Sequence, residues 1–323
     1  MKTERLFILK TWIGKYDYQL LLAGVLLVLL LILSAASEYF LAFKNFYNVL
    51  DQNAVYLILS VGMTFVIASG GVDLSVGSLA GLGGVIMAVL MKAGMNVPGA
   101  IALGIATSVL AGVFNGIIIS CLKINAFITT LVSMTICRGV ALILTGGVSV
   151  YGFPLGFKWF GTGNIGPINP PILISLVFAL IGMVILRRTL WGKYALALGA
   201  NEEALRRTGV RTKLYRISIY AVSGFCAAVA GLIMTALLNS AAPLAGETYE
   251  MDAIAAVVLG GASMSGGKGS VMGTLIACLI LAVMRNGLTL LSIATYYQQV
   301  ITGLIILCAI IIAEVRNRIK ASV

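Results

Sequence analysis

The side chains that could do chemistry in this sequence are few, and most are ionisable groups stranded beside or inside apolar runs. Asp73, Arg138, Asp252, Lys268 and Arg285 stand out, the last followed by Asn286. A charge at membrane depth is costly, so such residues pair with one another, line a pathway or gate it. Arg138 falls well inside an apolar run, while Asp73, Asp252 and Arg285 lie towards run ends. Ion pairs between helices are the plainer reading, and gating or contact with a hydroxylated substrate is the other. Thr129, Thr130, Ser133 and Thr135 form a hydroxyl-rich face near Arg138 that could bond a polyol. Ser and Thr also bond helix carbonyls routinely.

Catalysis by this chain is not indicated. Histidine is absent, which removes the commonest general base and metal ligand. Cys121, Cys137, Cys226, Cys278 and Cys308 are scattered without CxxC spacing and read as small buried hydrophobes. Ala262–Gly269 (A-S-M-S-G-G-K-G) approaches the phosphate loop G-x-x-x-x-G-K-[ST]. Ala262 replaces its first Gly, however, and Gly269 the Ser or Thr that would ligate magnesium. No catalytic residue, cofactor or metal site is expected.

The sharpest local signal is Leu198-Gly-Ala-Asn-Glu-Glu-Ala-Leu-Arg-Arg-Thr-Gly-Val210. Asn201 is a good N-cap, and Glu202 and Glu203 sit in the first turn at the positive end of the helix dipole. Arg206 and Arg207 occupy the last turn, and Gly209 can close the helix in the left-handed conformation. A short, well-capped helix between two spans is predicted. It is either a solvated connector or a docking element for a soluble partner.

Two glycine clusters also break the apolar pattern: Ser69-Gly-Gly-Val-Asp-Leu-Ser-Val-Gly-Ser78 and Leu259-Gly-Gly-Ala-Ser-Met-Ser-Gly-Gly-Lys-Gly-Ser270. They align as a weak internal echo with two extra residues in the second. Gly70, Gly71, Asp73 and Ser75 in the first, and Gly260, Gly261 and Lys268 in the second, mark broken or re-entrant segments. Irregular backbone at membrane depth is tolerated only against protein or a water-filled cavity, so both clusters should line or brace a route. Gly77 and Gly81, Gly112 and Gly116, and Gly269 and Gly273 have the small-xxx-small spacing of close helix packing.

The elements that must position these residues are membrane helices. Sixty per cent of the 323 residues are apolar and ten per cent charged, with a mean hydropathy of +1.06. Soluble domains carry roughly 25% charged residues. The expected class is an all-α integral membrane protein with about ten transmembrane helices and broken or re-entrant Gly-rich segments. The candidate spans are 20–37, 53–69, 74–92, 98–120, 124–145, 171–187, 215–238, 251–265, 270–287 and 296–314. The first is expected as a retained helix rather than a cleaved signal peptide.

The net charge of +11 is clustered. Fifteen of 22 cations fall at Lys2, Arg5, Lys10 and Lys15, in the stretch Arg187, Arg188, Lys193, Arg206, Arg207, Arg211, Lys213 and Arg216, and at Arg316, Arg318 and Lys320. That is the positive-inside pattern rather than a nucleic-acid surface. Six crossings from a cytoplasmic N-terminus bring the chain back at Arg187, and four more at Arg316. The expected organisation is a cytoplasmic segment 1–19, one transmembrane domain 20–315 with a cytoplasmic loop 188–214, and a cytoplasmic tail 316–323. The Gly-, Pro- and aromatic-rich connection 146–170 should face outside.

Taken together, several stretches resemble the permease family of ribose-type ABC importers. They are Gly62-Met-Thr with the first glycine cluster, Ala126-Phe-Ile-Thr-Thr-Leu131 with Arg138-Gly139 and Thr145-Gly-Gly147, and Ala197-Leu-Gly-Ala-Asn-Glu-Glu-Ala204. Tyr249-Glu-Met-Asp-Ala-Ile-Ala-Ala-Val-Val-Leu-Gly-Gly261, Ser265-Gly-Gly-Lys-Gly269 and Asn286-Gly-Leu288 complete the set, from about residue 45 to 310. The resemblance implies a monosaccharide importer subunit in the bacterial cytoplasmic membrane, with ribose or a similar sugar as cargo. It implies as partners a cytoplasmic ATPase with two nucleotide-binding cassettes, a second permease copy or paralogue and an extracytoplasmic sugar-binding protein. Gly199, Asn201, Glu202, Glu203, Ala204, Arg206, Arg207 and Gly209 would couple to the ATPase. An ion-gradient-driven sugar carrier is the rival, but it would be expected to bury carboxylates mid-span. A membrane enzyme would need a constellation that the sequence lacks, and a channel would leave the capped helix unexplained.

Overall fold

The computed structural model describes residues 2–294, 296–304, 307 and 311, with side chains from Tyr18 onward. Its helices follow the apolar runs: α1 (Lys2–Ala36), α2 (Phe43–Ala68), α3 (Val76–Lys92), α4 (Val97–Cys121) and α5 (Ala126–Thr145). A two-residue strand β1 (Val150–Tyr151) leads to α6 (Leu155–Thr162), α7 (Pro170–Arg188), α8 (Leu190–Arg207) and α9 (Thr212–Leu238). The strand β2 (Ser240–Ala241), α10 (Tyr249–Leu259) and α11 (Val271–Leu290) complete the order. The strands pair antiparallel, Val150 with Ala241 and Tyr151 with Ser240.

Local chemistry sets many of the ends. Asn96, Asn125, Thr189 and Ser270 each accept a hydrogen bond from a backbone N–H in the first turn of α4, α5, α8 and α11. Gly146 closes α5 with a φ of 61°.

Seven of the described helices are long and apolar enough to cross a membrane: α1 from Tyr18, then α2, α4, α5, α7, α9 and α11. The predicted eighth span, 251–265, is corrected. Its helix α10 has 11 residues and stops at Leu259, because Gly261, Gly266 and Gly267 take positive φ values that no helix continues. The tenth predicted span, 296–314, and the tail with Arg316, Arg318 and Lys320 lie largely or wholly outside the described residues. α2 starts ten residues before the predicted span. The polar residues that interrupt its apolar run have partners: Asn45 exchanges two hydrogen bonds with Asn286, and Asp51 accepts one of 2.6 Å from Asn169. The connection 146–170 holds α6 rather than only irregular chain.

α2, α3 and α9 form the buried centre. Glycine lets backbones touch there. A Cβ on Gly116 would lie 2.7 Å from the Ile217 Cα, so α4 and α9 meet without side chains between them. Large apolar side chains point away from the protein instead, among them Leu110 and Phe114 on α4 and Ile128, Ile136 and Ile143 on α5. An inside-out distribution of this kind suits hydrocarbon rather than water.

Candidate functional site

The basic end of the bundle, around residues 187–216, carries the predicted docking helix, and its geometry follows from local rules. The first half of α8 is packed: Trp191 meets the Phe65 ring edge-on at 5.1 Å and donates to Ser218, while Ala195 and Leu198 are buried. At Asn201 the backbone leaves helical geometry (φ −164°, ψ 97°) and restarts. The Asn201 side chain then accepts from the Ala204 N–H at 2.9 Å, the bond of an N-cap. Gly209 ends the segment at φ +84°.

The segment after the kink stands in solvent apart from buried Leu205. Glu203 accepts bonds from Arg206 (2.9 and 3.0 Å) and Arg207 (3.2 Å). These two guanidiniums hold the Glu203 carboxyl below the usual carboxylate range. A lowered pKa means that the pairing is intact above the ordinary carboxylate range and is lost only as pH falls through the depressed value. The clamp therefore persists at neutral pH. Glu202 reaches across to Arg216 on α9 at 2.5 Å, tying the exposed segment to the bundle.

Behind the kink, the two glycine clusters touch each other and α8. The Gly267 N–H donates to the Ala68 carbonyl at 2.9 Å. Gly199 is wedged between them: a Cβ there would collide with the Ala68 carbonyl oxygen and lie 2.6 Å from the Gly267 nitrogen. A Cβ on Gly70 would lie 3.5 Å from the Gly199 Cα, and one on Gly266 would lie 2.8 Å from the same atom. The second cluster is also held by α1, whose Tyr18 hydroxyl donates to the Leu259 carbonyl at 2.7 Å.

The first cluster is locked by Asp73, which is completely buried. One carboxylate oxygen accepts from the Ser75 N–H (3.0 Å) and hydroxyl (2.5 Å), and the other from the Ser223 hydroxyl on α9 (2.7 Å). Ser75 in turn accepts from Asn115 on α4 at 3.0 Å. The ion pair expected for Asp73 is replaced by this cage of hydroxyls. Because its members come from distant helices, Asn115, Ser223 and Tyr220, which donates to the Val72 carbonyl at 3.3 Å, escaped sequence reasoning.

The remaining candidates scatter. Arg138 also departs from the ion-pair expectation: it donates to the carbonyls of Pro243 (3.1 Å) and Ala245 (2.6 Å). That pins the segment before α10 over the Gly77 and Gly81 face of α3. Those glycines therefore make room for irregular backbone rather than for a helix. Asp252 and Arg285 form the expected pair between α10 and α11, and Lys268 is exposed. Thr129, Thr130 and Thr135 bond carbonyls of their own helix or its cap.

A many-helix bundle with an apolar exterior, buried irregular segments and a capped helix standing clear at one end defines a multi-pass membrane transport component. A family described as "Branched-chain amino acid transport system / permease component" matches residues 45–310, and the chain belongs to it. The ribose import permease RbsC of Escherichia coli (strain K12) is 42% identical over 291 residues, covering 89% of this chain and 91% of that one. The ribose import permease RbsC of Bacillus subtilis (strain 168) is 40% identical over 289 residues, 89% and 90% of the two chains. The D-allose transport system permease AlsC of E. coli (strain K12) is 36% identical over 279 residues, 86% and 85%. No solved structure matches. The chain is a permease subunit of an ABC importer in the inner membrane, a transport component rather than an enzyme.

Proposed function

We propose that this permease carries ribose or a similar monosaccharide, delivered by an extracytoplasmic binding protein and driven by a cytoplasmic ATPase with two nucleotide-binding cassettes. The observation that carries this reading is the identity of 40–43% to ribose import permeases along nearly the whole chain. The basic end is then cytoplasmic, as are both termini, and two permeases, copies or paralogues, assemble around the route. Residues 20–315 form one transmembrane domain with ten membrane-embedded segments. α3 counts among them, and the 11-residue α10 completes its crossing with residues 260–270, since its own length is about 17 Å against a bilayer core of about 30 Å.

The exposed segment Asn201–Gly209 is the docking helix for the ATPase, with Gly199 and Ala204 shaping its two sides. Gly70, Gly71, Asp73, Ser75, Gly260, Gly261 and Lys268 belong to the segments that respond to it, and Arg138, Asp252, Arg285 and Asn286 to the route or its gates. Glu203→Ala and Arg207→Ala each remove part of the exposed clamp. Each is expected to lower ATP-driven uptake at least fivefold, or to release the ATPase on copurification, while the permease stays in the membrane. Wild-type uptake together with wild-type copurification would remove the docking assignment. Copurification in mild detergent tests the broader reading. A bound ATPase with two cassettes supports it, whereas sugar uptake by the lone chain in ATP-free vesicles under an ion gradient would overturn it.

A further inference from the structure

A cavity of about 130 Å³ opens between α2, α10 and α11. Its position can be read along α2. Ala68 marks the basic end, and Tyr56 lies twelve residues before it, about 18 Å away along the helix axis. The cavity therefore sits in the half of the bundle remote from the docking helix.

Its lining is unlike the rest of the apolar interior. Gln52, Asn53 and Tyr56 of α2 face Asp252 of α10 and Arg285 and Asn286 of α11 across it. Asn53, 4% exposed, and the exposed Gln52 both line this space. The Arg285 guanidinium lies 4.8 Å from the centre of the Tyr56 ring while pairing with one carboxylate oxygen of Asp252. A buried ion pair often contributes less to stability than apolar residues of the same size would. Stability alone does not account for one placed in a cavity wall. Three amides, a carboxylate, a guanidinium and a phenol offer donors and acceptors with no net charge. That is the complement of a neutral polyhydroxylated molecule, whose hydroxyls can meet these polar groups.

We propose that this cavity is a binding site for the monosaccharide within the permease, occupied after release from the binding protein, and that Gln52, Asn53 and Tyr56 help to select the sugar. The proposal rests on the reading above that the cargo is a monosaccharide.

The test holds the binding protein constant and measures ATP-driven uptake of D-ribose and D-allose by the assembled importer in proteoliposomes. Each sugar is supplied at a concentration that saturates its uptake, so that upstream selection does not change between variants. Asn53→Ala and Gln52→Ala are compared with the wild type. The expected result is a change of at least fivefold in the ratio of the two fluxes, with ATPase copurification within twofold of wild type. A purely structural role would lower both fluxes in parallel and leave the ratio unchanged, and that outcome overturns the site. If Asn53→Ala fails to assemble, Gln52→Ala, at an exposed position, carries the same readout. A wild-type importer that moves neither sugar overturns the monosaccharide reading itself, and the site falls with it. An unchanged ratio beside active uptake overturns the site alone.

Discussion

Gly199→Val is expected to abolish ATP-driven uptake, leaving less than a tenth of the wild-type rate, even though Gly199 is none of the three charged residues that clamp the docking helix. The reason is steric. Gly199 lies where three backbone segments converge, and its missing side chain is the space that the Ala68 carbonyl and the Gly267 amide occupy. Forcing atoms into a packed site costs roughly 1–3 kcal/mol. Here the clash is with backbone, which cannot rotate away, so α8 must lift off the junction. The hydrogen bond from Gly267 to Ala68 joins the two glycine clusters directly beneath it. Lifting α8 would uncouple the docking helix from both clusters at once. Gly139→Ala provides the control: nothing lies within 4 Å of its added methyl, and uptake should stay within twofold of wild type. Gly199→Val at full activity would show that the junction does not transmit motion.

That junction also shows what could be read from the chain and what could not. The cap at Asn201 and the left-handed stop at Gly209 depend on a few neighbouring residues, so composition and spacing sufficed to find them. The two glycine clusters were recognisable as breaks, and even as echoes of one another. Their contact was not, because Ala68 and Gly267 lie almost two hundred residues apart and backbone hydrogen bonds leave no mark in side-chain identity.

α10 failed for a different reason. Hydropathy counts Ala262 and Met264 as apolar and carries the span through them, whereas the positive φ values at Gly261, Gly266 and Gly267 end it at Leu259. Arg138 lies inside α5, where a charge is costly. Its partners are main-chain carbonyls more than a hundred residues away, which no charge pairing could reveal.

Asp73 is the position where a small chemical change should separate shape from charge. Asp73→Ala removes the acceptor for the Ser75 amide, the Ser75 hydroxyl and the Ser223 hydroxyl together. Hydrogen bonds to a charged group contribute about 1.5–3 kcal/mol each, and donors left buried without a partner add their desolvation cost. The first glycine cluster would lose its lock to α4 and α9, and membrane-inserted, ATPase-bound permease is expected to fall at least tenfold. Asp73→Asn keeps one carbonyl oxygen for Ser75. Its amide can donate to Ser223, whose hydroxyl turns to accept. The cage then keeps its Ser75 bonds and a bond to Ser223, and folded permease should recover to within about threefold of wild type. Uptake by that folded variant decides the role of the charge. Activity restored with assembly identifies Asp73 as a brace, in keeping with its lack of any cationic neighbour among its hydrogen-bond partners. A well-assembled but inactive Asp73→Asn would mean that the carboxylate itself acts during transport, which the closed cage of hydroxyls argues against.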